Sequence, residues 1–141
     1  AMVGVLNGVT FTDATTLKPT FSNFYPAATT PANSEDVTAF VNDDPFQEYI
    51  IASDATLGGD LATRKSKIGL TYATTAAAGS TTTGKSSVQL GISTAATTAK
   101  QLRVVRVAED PENSDQTAAN CSLVVKVNLH QYTVGSLATG I

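Results

Sequence analysis

The stretch GSTTTGKS, Gly79 to Ser86, matches the phosphate-loop pattern G-x-x-x-x-G-K-[ST]. In nucleotide-hydrolysing enzymes such a loop leaves a buried strand and opens a helix. The free N–H groups and dipole of that helix hold the phosphates, and the Lys reaches beyond them. Here Gly79 follows TTAAA, and after Ser86 the chain alternates as SVQLGIST with Gly91 inside the run. These flanks predict a polar connection between two strands, with Lys85 on a solvated tip. A second acid for magnesium could come from Glu109 or Asp110, which end the run LRVVRVA. Arg103 and Arg106 read onto opposite faces of that run, which a central parallel strand, buried on both sides, does not allow.

Nucleophilic chemistry has little to work with. The one His, His130, and the one Cys, Cys121, are nine positions apart on a single expected strand. Odd spacing puts them on opposite faces, and that length of extended chain spans about 30 Å. His130, beside Asn128 and Lys126 on the polar face, reads as a surface or interface residue. No G-x-S-x-G turn is present to expose a Ser. One His and one Cys exclude the usual zinc sets. Asp43, Asp44, Asp110, Glu112 and Asp115 could surround calcium, but neither acidic loop has the Gly and terminal Glu of an EF-hand. The expectation is a protein without enzymatic activity, metal or cofactor.

The elements that carry these residues follow from composition and alternation. A chain of 141 residues fits one domain, and 15% charged residues with a net charge of −3 give no broad pull on nucleic acid or an anionic membrane. Much of the apolar content is Ala among Thr, Ser and Gly, which suits strands and turns. No run is long and apolar enough to span a membrane, and the start AMVGVLNG lacks a secretory pattern. A lone Cys implies folding in a reducing cytoplasm.

Residues 1–37 read as one strand near Met2 to Phe11 followed by an extended arm, since Pro19, Pro26 and Pro31 interrupt regular structure. Phe21, Phe24 and Tyr25 lie in that arm and are expected to rest on a surface, their own or a partner's. Residues 38–141 read as the body. Strands are expected from Phe46 to Ala52, from Lys67 to Thr74, along SVQLGIST, and along QLRVVRVA and SLVVKVNLHQY. In the last, Leu123, Val125, Val127 and Leu129 share a face. Between the two clearest strands, AEDPENSDQTAAN reads as a projecting acidic loop. The fold expected is all-β, a small barrel or sandwich with an extended N-terminal arm.

Three stretches carry a resemblance: AFVNDDPFQEYII at 39–51, LRVVRVAEDPENS at 102–114, and SLVVKVNLHQYTVGSLATGI at 122–141. In this order they resemble small head proteins of tailed bacteriophages, of the kind that decorate or cement the capsid. The likeness covers roughly half of the chain. It implies a structural virion protein, made in the bacterial cytoplasm, that sits outside the shell on or between major capsid subunits, often as a dimer or trimer. Another β-rich virion part, a tail or fibre module, is the alternative. Composition, not the resemblance, names the contacts: Phe21, Phe24 and Tyr25 as apolar anchors, and Asp110, Glu112 and Asp115 toward basic capsid residues.

Overall fold

The computed structural model describes residues 2–25, 29–93 and 99–132; Pro26 and the Gly-rich end from 133 onward lie outside them. In chain order the strands are β1 (Val5–Thr12), β2 (Pro19–Ser22), β3 (Thr38–Asn42), β4 (Glu48–Ala52), β5 (Thr71–Tyr72), β6 (Thr74–Thr75), β7 (Gln89–Leu90), β8 (Leu102–Val107) and β9 (Ser122–Val127). One short helix, α1 (Leu61–Ser66), interrupts them, with 3-10 turns at Ser34–Asp36 and Pro111–Asn113. The fold is all-β and antiparallel, in three sheets ordered β2-β1-β3, β4-β9-β8-β5 and β6-β7. Among the described residues no helix is long and apolar enough to cross a membrane.

The core forms where alternation puts Val and Leu on one face of the four-stranded sheet. Leu123 and Val125 of β9 and Val104 of β8 are fully buried, and Leu102 and Val127 nearly so. Tyr72 of β5, Leu90 of β7, Ile92, Leu57 and Cys121 complete the cluster, so the β6-β7 hairpin and the segment before α1 lie over the sheet as a second layer. Each such side chain contributes about 1.5–3 kcal/mol by leaving water. The four-stranded sheet is open, with β4 and β5 at its edges.

Two local devices depart from simple alternation. Arg103 pairs with Lys126 and Arg106 with Val124, with a register shift between Val104 and Arg106. This bulge inserts an extra residue, so both arginines stand on the same outer face rather than on opposite ones. The expected strand from Lys67 is shortened by α1. Asp60 caps that helix, accepting from the Thr63 N–H at 2.8 Å and the Thr63 hydroxyl at 2.6 Å, and Lys67 becomes its C-cap. The strand then divides at Ala73, with β5 joining the large sheet and β6 the hairpin.

The N-terminal region is a sheet rather than a strand with an arm. The Asp13 carboxylate accepts from the Thr15 and Thr16 N–H groups at 2.9 and 2.8 Å and turns the chain, so that β2 runs back along β1. On its other edge β1 pairs with β3, so the sheet joins residues on both sides of position 37. Met2 then forms a parallel bridge to His130: its N–H donates to the Leu129 carbonyl at 2.7 Å, and its carbonyl accepts from the Gln131 N–H at 2.8 Å.

Candidate interaction surface

The N-terminal sheet carries two exposed aromatic side chains that face each other. Phe21 on β2 is 66% exposed and Phe40 on β3 is 46% exposed. Their rings meet at 6.2 Å across the central strand. They can do so because Gly8 lies between them: a Cβ there would stand 2.8 Å from the Phe21 Cζ. On the opposite face Leu6 is paired with Val41, and both remain exposed.

The three arm aromatics do not act alike. Phe21 is open to solvent, Phe24 is half-buried, and Tyr25 sets its ring edge-on to buried Phe11 at 5.8 Å. Phe24 and Tyr25 instead line a cleft of about 570 Å³ with Val5 and Leu6, whose other wall includes Lys85 and Ser86. The GSTTTGKS loop therefore lies against the N-terminal segment. Gly84, at φ +66°, sits where a Cβ would overlap the Asn23 side chain.

That loop joins β6 to β7, as its flanks predict, and no helix follows Ser86. It is closed by its own hydrogen bonds. The Ser80 N–H donates to the Lys85 carbonyl at 3.0 Å, the Gly84 N–H to the Ser80 carbonyl at 2.8 Å, and the Thr83 N–H to the Ser80 hydroxyl at 3.2 Å. Three amides that a phosphate would need are thus already engaged.

The acidic residues belong to an exposed loop that is pinned through Asn113. Asp110 accepts from the Glu112 N–H at 3.0 Å and caps the Pro111–Asn113 turn. Asp115 accepts from the Thr117 N–H and hydroxyl at 2.9 and 2.6 Å, with the hydroxyl bond the main cause holding its carboxyl below the ordinary 3.8. Glu112 is exposed. Asp110 also borders a cleft on the outer face of the large sheet, where Glu48 lies 3.6 Å from Arg106 and 3.5 Å from Lys126. The aromatic set therefore lies on and just after β2 of the N-terminal sheet, and the acidic set on the loop between β8 and β9.

Burial corrects one expectation and describes the lone Cys. His130 is fully buried, not on the surface, where its backbone is bridged by Met2 and its ring lies 5.3 Å from that of Tyr132. Its Nδ1 accepts from the Tyr132 N–H at 3.1 Å, and its Nε2 has no partner. Cys121 is buried, and burial raises its thiol above the ordinary 9.0. Among the described residues no three His, Cys, Asp or Glu side chains converge to hold a metal ion.

The residue that sequence reasoning missed is Phe40, since β3 was not expected. The signal was present in VTAFVN, a short run rich in β-branched and aromatic residues. Tyr49 supports its end: the phenol donates to the Asn42 carbonyl at 3.1 Å, and burial first, then Asp44 and Asp43, raise its pKa so that it stays a donor. Comparison with protein families, with curated proteins and with solved structures gives no match.

Proposed function

We propose that this chain is a structural virion protein that binds the outside of a capsid shell and bridges neighbouring major capsid subunits. The observation that carries this reading is the Phe21–Phe40 pair, exposed on an open-edged sheet while the body keeps a closed core. Adjacent aromatic rings buried at the centre of an interface are the usual source of its binding energy. The resemblance of 39–51, 102–114 and 122–141 to capsid-decorating head proteins supplies the kind of partner. On a shell strained by packaged DNA, many modest contacts act together through multivalency, and assembly into dimers or trimers adds to this.

The test is co-sedimentation of the purified chain with empty capsids from the same source. Saturable pelleting that Phe21→Ser with Phe40→Ser abolishes is the expected result. No pelleting overturns the reading, and trimers or rings formed without capsids would mark a tail or fibre module instead. Point substitutions are the sharper tool, because deleting residues 1–37 would strip β3 of its pairing strand.

A further inference from the structure

Every residue of β3, Thr38–Asn42, is exposed, although the strand carries Phe40 and Val41. One edge pairs with β1, and among the described residues no strand pairs with the other. Among the described residues the Tyr49 hydroxyl on the Asn42 carbonyl is the hydrogen bond that reaches it from β4, which leaves the edge from Thr38 to Val41 open. Within the strand, TAFVN has no Lys and no Pro, and the bulge of this pair lies in β1 between Leu6 and Gly8, so what guards the edge is the charge that flanks it. An open edge with apolar side chains is a template for another strand.

Charge decides what that strand is. Glu35 and Asp36 precede β3, Asp43 and Asp44 follow it, and all four are exposed around an uncharged middle. A second copy paired antiparallel about Phe40 would set Asp36 opposite the other copy's Asp44 at both ends. An in-register parallel pair would set each acid against itself. Like charges directly opposite repel, so self-pairing is disfavoured. The complement is an extended segment with an apolar middle and Lys or Arg at each end.

We infer that β3 is the receiving edge for a basic-ended strand of a partner protein. Phe40, backed by Phe21 across Gly8, packs one face of the incoming strand, and Val41 with Leu6 packs the other. Only the naming of the carrier rests on the virion reading, under which the strand belongs to the major capsid subunit.

The experiment uses the full chain and two synthetic peptides of alternating Thr and Val, one ended by lysines and one by glutamates. The lysine-ended peptide slows amide hydrogen exchange at residues 38–41 and binds about tenfold more tightly than the other, as several exposed ion pairs at ~0.2–1 kcal/mol each allow. Glu35→Lys with Asp36→Lys and Asp43→Lys reverses that order. Binding without preference, or without protection at 38–41, overturns the inference. So does a doubled mass with the same protection when no peptide is present, which would make a second copy the occupant. Peptide binding without capsid pelleting keeps the strand and overturns the virion reading. Pelleting that survives the charge reversals while both peptides fail does the opposite.

Discussion

The side chain of Asn113 pairs with the backbone of Ser122 as a strand would. Its Oδ1 accepts from the Ser122 N–H at 2.8 Å, and its Nδ2 donates to the Ser122 carbonyl and to the Ala108 carbonyl, both at 2.9 Å. One amide thus closes the acidic loop onto the ends of β8 and β9 and fixes Asp110 and Glu112. Asn113→Ala leaves the Ser122 N–H and the Ala108 carbonyl without their partner, while the Ser122 carbonyl keeps the Ala108 N–H at 3.0 Å, and is expected to cost about 2 kcal/mol in urea unfolding. Asn113→Asp costs more, because an acceptor then faces two carbonyls.

Exposure separates binding residues from folding residues on the same scaffold. Phe21→Ser and Phe40→Ser remove a cross-strand pair on a solvated face, and each should lower stability by no more than ~1 kcal/mol. Leu90→Ala empties a fully buried position between the hairpin and the large sheet and should cost about 2–5 kcal/mol. Capsid pelleting and urea midpoints measured together test this. Loss of binding that tracks the loss of stability in all three variants would remove the distinction.

Where alternation alone sets the fold, the sequence was readable. β8, β9, β4 and the hairpin around GSTTTGKS follow from period-two patterning, and the pattern names the buried face Leu123, Val125, Val127, though β9 ends before Leu129, which is half-buried. Legibility fails where one residue changes the rule. The bulge after Val104 moves Arg106 to the face of Arg103. Asp60 starts α1 just ahead of the strand expected from Lys67. The N-terminal sheet was hidden because β1 finds its partners, β2 and β3, on both sides of an irregular stretch, a pairing that no local pattern encodes. Of the surface proposed for binding, Phe21 was visible as an aromatic in an interrupted segment. Phe40 needed β3, and the burial of His130 lies at the Met2 bridge, a contact between distant segments.

Asp60 offers a pH test with a definite sign. The Thr63 side-chain bond first, then the Thr63 backbone bond, hold its carboxyl below the ordinary 3.8 in the folded chain. A depressed folded value stabilises fully above the unfolded value, near pH 4, and that contribution is lost as pH falls through the folded value. Asp60→Asn keeps an acceptor for Thr63 but does not titrate. The wild-type advantage over Asp60→Asn should therefore be constant from pH 7 to about 5 and shrink below about pH 4. Asp13 and Asp115 shift the same way, so the comparison must be between these two proteins and not between pH values of one. An advantage that grows toward acid would contradict the capping geometry.

The loop at Gly79–Ser86 should respond to substitution as a structural tip. Its Ser80, Thr83 and Gly84 amides are bonded within the loop, so a triphosphate would have to open the turn before it could be held. Calorimetric titration with ATP and magnesium is expected to give no binding heat, and Lys85→Ala, on an exposed side chain, to leave stability and capsid pelleting unchanged. Gly84→Ala is the informative change. At φ +66° a side chain strains the backbone by roughly 1 kcal/mol, and its Cβ displaces Asn23 from the wall of the cleft that Phe24 and Tyr25 line. Weaker pelleting in Gly84→Ala with unaltered Lys85→Ala would show that the loop acts by supporting the N-terminal sheet. Heat on ATP addition that Lys85→Ala removes would instead make the motif a nucleotide site and overturn the structural reading of the whole chain.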